Sequence, residues 1–498
     1  MDDNGSVNIK SVFISNFRGI DQLDAPVEFG SMSFFIGDNG TGKTSLLEAV
    51  NFCLSSGYVA SRLDLNDFHN GNDEPIEIVV TFQNPIVVTI PDGFTSQKVL
   101  CDKVRLFAKK RDRAAAGKSF SDLVTTSHHF VPVDERGENG WALTRKGGTV
   151  FQFDERQLAL NNVEADLPRV FYFSKTRARQ LSKGYNSSLS SIIQDLNWRF
   201  DRSQRKKTEV DHFKHDRKAL HQRVFADTEG DTLKNTIEAA NKILVKLGVH
   251  PVEVSLFKTL NPYDQSEVIF PFDGFELPVE HAGSGIEMVL SLVLLESMAK
   301  LSRDKLVILI DEPELHLHPK LQSKLVDHLT DLSGSIQIIA STHSPLLFKN
   351  IFQIPQTRLQ ITKKTEGKVV IADAHAVGFG YLSWSPSWGE ICYLAYDLPT
   401  TDFHDDLYSS LEDAFRSSPS VKTSQVDFDN WLESRGHAKE VRWVDAKGIS
   451  REETLMTFIR NKNHHPDNRH RPEFTDDQLT ESIAQMCKLI RPTSNRLS

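Results

Sequence analysis

Gly37-Asp38-Asn39-Gly40-Thr41-Gly42-Lys43-Thr44 reads as GxxxxGK[ST], the pattern of a phosphate-cradling loop. The apolar run Phe34-Phe35-Ile36 precedes it and the helical pattern Thr44 to Leu54 follows, which is the strand, loop, helix context the motif demands. Glycines at 37, 40 and 42 let the loop curl so that backbone N–H groups point at phosphate oxygens. The helix N-terminus at Lys43-Thr44-Ser45 adds its dipole. In this geometry Asn39 sits within the loop, Lys43 reaches the β and γ phosphates of ATP, and the Thr44 hydroxyl faces Mg²⁺.

Three further segments carry chemistry. Leu306-Val307-Ile308-Leu309-Ile310-Asp311-Glu312 is an apolar strand ending in two carboxylates. Asp311 suits the Mg²⁺ shell, and Glu312 suits orienting and polarising the attacking water. Ile338-Ile339-Ala340-Ser341-Thr342-His343 is another apolar strand with a polar tip, which puts His343 in reach of a γ phosphate. Ala282-Gly283-Ser284-Gly285-Ile286-Glu287 opens an amphipathic helix running to Leu301, a second anion-binding concavity centred on Ser284 and Gly285. Gln83, just after the strand Ile76 to Phe82, is a candidate metal contact, and a plain strand-end glutamine is the alternative.

Outward from these motifs, the strands Val7 to Phe17, Val27 to Phe29 and Ser33 to Ile36 lead into the loop, and Ile76 to Phe82 and Ile86 to Ile90 follow it. Strands 306–310 and 336–340, joined by a helix over 320–332, require a parallel sheet with crossover helices. The fold class is α/β. The expected segments are residues 1–95 (first part of the head), 96–180 (antiparallel β-rich part), 181–260 (charged helical lobe), 261–390 (second part of the head) and 391–498 (helical partner-docking domain). The lobe concentrates Arg199, Arg202, Arg205, Lys206, Lys207, Lys214, Arg217, Lys218 and Arg223, a surface for DNA or RNA or simply a solvated charged face.

Composition sets limits. With 58 basic and 67 acidic residues the net charge is −9, so any nucleic-acid contact is focal rather than a wrapping surface. The four cysteines form no CxxC pair, which argues against a zinc site or disulfide framework and for a reducing compartment. Residues Ile286 to Leu301 are interrupted by Glu287, Ser291, Glu296 and Ser297, so they read as a buried helix rather than a membrane span. The acidic, polar N-terminus has no secretory pattern, and the expected location is the cytoplasm.

Together the four motifs resemble the ABC-type ATPases of the RecF, SMC and OLD group over residues 7–60 and 275–350. The resemblance implies that residues 283–287 are a signature loop acting in trans and that His343 is the switch histidine. It implies that His316, His318 and Pro319 belong to the D-loop region, and that Arg18 flanks the nucleotide. ATP is then sandwiched between two heads of a homodimer or larger assembly. The signature reads AGSGIE here rather than LSGGQ.

OLD nucleases add a TOPRIM domain, and Asp427-Phe428-Asp429 has its DxD spacing without a buried strand before it. Arg460 and His465 have the R-x4-H spacing of HEPN ribonucleases, although Pro466 follows directly. His464, His465, Asp467 and His470 match no standard metal-ligand turn. The whole is most similar to the PtuA-like ATPases of Septu and retron anti-phage systems. That similarity implies an ATPase that senses infection and regulates a partner nuclease of the HNH type. A RecF-like or SMC-like DNA-repair ATPase and a self-contained HEPN-like ribonuclease toxin are the rival readings.

Overall fold

The computed structural model describes residues 8–54, 63–92, 95–111, 123–133, 142–144, 150–152, 164–165, 167–175, 269–272, 275–278, 285, 288–290, 292–293, 306–417 and 424–491. The basic stretch Arg199 to Arg223 and Ser284 lie outside them. The chain divides into two compact units, residues 1–176 with 298–498, and residues 177–297.

In the larger unit a six-stranded sheet holds the phosphate loop. Its order is β11 (Arg169–Phe173), β14 (Leu306–Asp311), β15 (Gln337–Thr342), β4 (Met32–Gly37), β16 (Thr357–Thr365) and β17 (Lys368–Asp373). All neighbours are parallel except the β16–β17 hairpin. β4, β14 and β15 are buried along their whole lengths, which is why their centres read as apolar runs; Ser33 in β4 and Gln337 at the start of β15 are buried polar residues that make hydrogen bonds. Parallel register brings those tips together: Asp311 pairs with Ser341, and Thr342 with Ile36.

A second sheet is antiparallel. It joins β1 (Ile9–Phe17) to β2 (Ile20–Gln22) and β3 (Val27–Glu28) on one side, and to β5 (Ile76–Asp92), β6 (Thr95–Lys110) and β7 (Val124–Pro132) on the other. Within residues 96–180, β6 and β7, the hairpin of β8 (Ala142–Thr144) and β9 (Val150–Gln152), and β10 (Glu164–Ala165), which pairs with β5, are antiparallel, whereas β11 is a parallel edge strand of the first sheet. The two strands expected at 76–82 and 86–90 are one. β5 continues through Gln83-Asn84-Pro85 with a register shift against β6, where Pro85 has no N–H to give the ladder.

Helix α1 (Lys43–Leu54) buries Leu46, Leu47, Ala49, Val50 and Cys53 in the core shared by the two sheets, with Ile14, Ile78, Val104, Val307 and Leu309. Crossover helices α2 (Pro319–Leu332) and α3 (Pro345–Phe352) begin with Pro at the first turn and are capped by His318 and Ser344.

α4 (Trp388–Tyr396) straddles the boundary expected at 390/391 and packs on β4, β16 and α3, so the head extends past that point. Beyond it α5 (Thr401–Arg416), α6 (Gln425–Ser434), α7 (Leu455–His464) and α8 (Asp476–Ile490) surround Phe403, Leu407, Tyr408, Phe428, Phe458 and Ile483. The expected helical region also contains a β-hairpin, β18 (Val441–Val444) with β19 (Ser450–Glu453). Arg471, nearly buried, makes two hydrogen bonds to Glu453 and lies over the Trp443 ring of that hairpin. In the smaller unit the described residues include a hairpin of β12 (Ile269–Phe272) and β13 (Phe275–Pro278), and helical residues at Gly285, Met288–Leu290 and Leu292–Val293.

Candidate nucleotide site

The loop after β4 has the backbone its glycines permit. Gly40 and Gly42 have φ of +75° and +89°, and at Gly37 a Cβ would lie 2.1 Å from the carbonyl oxygen of Thr362. Lys43, only 4% exposed, folds back over the loop and donates to the carbonyls of Gly37 (2.9 Å) and Asp38 (2.6 Å). Those two acceptors hold the ammonium where a phosphate would otherwise compete for it. Burial pulls its pKa down to about 8, against the opposing pull of Asp311, Glu312, Asp38 and Glu314. Asn39 is exposed, with its amide turned onto Asp38, and Ser45 lies half-buried in the first turn of α1.

Thr44 Oγ1 donates to Asp311 Oδ2 at 2.9 Å, and Ser341 Oγ donates to Asp311 Oδ1. Ser341 is a site residue that motif reading passed over. The parallel pairing of the two strands sets it opposite Asp311, and spacing along the sequence does not signal that. Glu312 leaves the strand at φ +54°, a left-handed conformation costly for a residue with a Cβ, and its N–H is tied to Ser341. That turn aims its carboxylate at His343, with Oε1 3.6 Å from Nε2. Burial and the Lys43 charge lower the His343 pKa, with Glu312 opposing, so the neutral ring is favoured.

Two oxygen donors at hydrogen-bond distance, Thr44 and Asp311, form the kind of hard, paired set that suits a Mg²⁺ ion. Among the described residues no group of three His, Cys, Asp or Glu side chains forms a metal cluster of its own. A cation here would therefore take water and phosphate as its remaining ligands.

Lys43, Thr44, Asp311, Glu312 and His343 are thus brought to one edge of the sheet. Gln83 is not. Its N–H donates to Asn8 O, and the adjoining Ile9 N–H is held by the side chain of Gln337, which begins β15. Five residues of extended chain, about 16 Å, separate that end of β15 from its tip. Gln83 is therefore corrected to an exposed residue of β5 in the antiparallel sheet, near the start of β15 rather than its tip. Gly285 is buried and helical. Arg18, at φ +50°, has its guanidinium engaged by Glu48 and Asp67 beside the loop, where Gly19 adjoins Gly40. His318 accepts from Lys320 N as a helix cap, and His316 is exposed at φ +63°.

The C-terminal candidates have structural partners. Asp427 belongs to the capping box of α6, and Asp429 accepts from Thr454 and faces Lys439. Arg460 donates to Asn461 and lies over the Tyr408 ring, while His465 is exposed just past the end of α7. His464 faces Asp405 at 3.3 Å.

A phosphate loop at the tip of a central parallel strand, a DE pair on the next strand but one and a histidine on the strand between them define an ABC-type ATPase of the RecF, SMC and OLD group. The chain belongs to the family described as "AAA domain, putative AbiEii toxin, Type IV TA system", which matches residues 32–349. It is 24% identical over 377 residues to the "OLD nuclease" of Thermus scotoductus, covering 73% of this chain and 64% of that protein. To the "Endonuclease GajA" of Bacillus cereus it is 23% identical over 391 residues, covering 75% and 61%. A stretch of 45 residues is 49% identical to the "Retron Vc95 probable ATPase" of Vibrio cholerae, 9% of each chain. The chain thus spans less than two thirds of the length of the first two relatives. Among the described residues no helix is long and apolar enough to cross a membrane.

Proposed function

We propose that this chain binds ATP with Mg²⁺ and hydrolyses it slowly across a pair of heads, and that the nucleotide state of the pair regulates a partner nuclease in anti-phage defence. The observation that carries the reading is the contact of Thr44 with Asp311 beside Lys43, with Glu312 and His343 facing each other next to it. Lys43 exchanges its two loop carbonyls for β and γ phosphate oxygens. Thr44 and Asp311 would hold Mg²⁺, and such an ion would supply charge neutralisation for the phosphate oxygens. Glu312 orients the attacking water and takes its proton, and the neutral His343 ring donates a hydrogen bond to the γ phosphate. Ser284 and Gly285 of a second copy cap that phosphate from the other side.

The resemblance to retron and Septu ATPases and the match to a retron ATPase support the defence role. An HNH-type nuclease is the partner this reading expects. Glu312→Gln should retain ATP and accumulate a closed dimer by light scattering, whereas a Glu312→Gln monomer that still releases phosphate at the wild-type rate would sink the mechanism. Co-expression with the neighbouring reading frame should co-purify a nuclease, and a head that purifies alone and loads on DNA would replace this reading with the repair ATPase.

A further inference from the structure

Two groups grip the tip of β15. Glu314 Oε1 accepts from Thr342 Oγ1 at 2.7 Å and from the His343 N–H at 2.9 Å. The Tyr396 hydroxyl donates to the His343 carbonyl at 2.7 Å. The peptide units on both sides of His343 are thereby held, one by the turn after β14 and the other by the last residue of α4.

α4 is itself tied at both ends of this connection. Asp397, which ends it in a left-handed conformation, pairs with Lys363 of β16 at 2.5 Å. Gly389 meets α5 so closely that a Cβ there would lie 2.5 Å from that of Phe403. A displacement of α5 therefore moves α4, and α4 carries the Tyr396 hydroxyl that holds the His343 carbonyl.

We infer that Tyr396 is a positioning residue for His343, through which the helices after α4 set the rate of ATP hydrolysis. The inference rests on the assignment of His343 to the γ phosphate made above. An imidazole at the end of its side chain amplifies small rotations of its own peptide, and a misplacement of about 1 Å at a reacting centre costs up to about a hundredfold in rate. Loss of one of the two peptide anchors leaves nucleotide binding intact, because Lys43 and the loop backbone are held separately.

The test is steady-state phosphate release by the purified full chain, with thermal melting alongside. Tyr396→Phe should lower kcat about 5- to 10-fold, the effect of one lost hydrogen bond. KM for ATP should stay within about twofold and Tm within about 2 °C. On a His343→Ala background the same change should cause no further loss, since its effect is routed through the ring that is gone.

An unchanged kcat in Tyr396→Phe, or an equal loss on the His343→Ala background, overturns the inference while the hydrolysis reading stands. A wild-type chain that releases no phosphate, or a His343→Ala chain at full rate, overturns the His343 assignment and the inference with it. Glu314→Gln, which keeps an acceptor for the His343 N–H, should retain more activity than Glu314→Leu. Equal activity of those two variants counts against the anchoring of His343 even if Tyr396→Phe fails to fold.

Discussion

Thr44 and Asp311 stand 267 residues apart in the chain and 2.9 Å apart in the fold, joined by a hydrogen bond at the edge of the parallel sheet. Asp311→Asn keeps the side-chain volume and removes the charge that the proposed function assigns to the cation. Phosphate release should fall about a hundredfold or more, and raised Mg²⁺ should restore little of it. An Asp311→Asn chain with wild-type turnover would remove Asp311 from the metal shell.

Gly37 tests the loop backbone. A Cβ at this position would meet the Thr362 carbonyl at 2.1 Å, and that carbonyl belongs to the neighbouring strand and has no room to yield. Gly37→Ala should destabilise the chain by about 2 to 4 kcal/mol in urea unfolding and weaken ATP binding. Gly367, where a Cβ meets nothing within 4 Å but φ is +85°, should cost only about 1 kcal/mol as Ala.

His404 predicts an acid limb. It is fully buried, with Nε2 at 3.0 Å from Ser482 Oγ; burial lowers its pKa below 6.5, with Asp405 opposing. The unfolded chain then binds the proton first, so this contribution to stability is complete above about pH 6.5 and is lost as pH falls through and below it. His404→Gln should flatten the difference in urea midpoint between pH 7 and pH 5 relative to wild type. An identical pH dependence in both proteins would defeat the assignment.

The Arg460 and His465 pair separates the toxin reading from the regulator. Arg460 lies against Tyr408 and Asn461, while His465 is exposed beyond the helix end. Arg460→Ala with His465→Ala should leave RNA degradation in expressing cells unchanged. A loss of RNA cleavage specific to that double variant would favour the toxin.

The nucleotide head was legible because its grammar is local. A fully buried parallel strand is mostly apolar, so where its apolar run gives way to polar residues marks its tip, as at Asp311 and Ser341. Less of the rest was readable. β16 carries Lys363, Lys364 and Thr365 beyond its buried centre and β17 alternates at the sheet edge, so neither shows the continuous apolar signal of the interior strands. The strands expected at 76–82 and 86–90 are one, because β5 only shifts register between them. The helix α4 spans the boundary expected at 390/391 and packs on both the head and α5, which composition alone does not show.

The sequence by itself determined the loop, the DE pair and the histidine, because phosphate and metal chemistry demand particular residue types at strand tips and helix starts whatever surrounds them. Only the tertiary structure decided which strands are neighbours. That placed Ser341 on Asp311, set Gln83 near the start of β15 rather than its tip and brought Tyr396 to His343 from 53 residues away. Motifs are written in spacing along the chain, whereas hydrogen bonds across a sheet depend on register and strand order, which spacing does not encode.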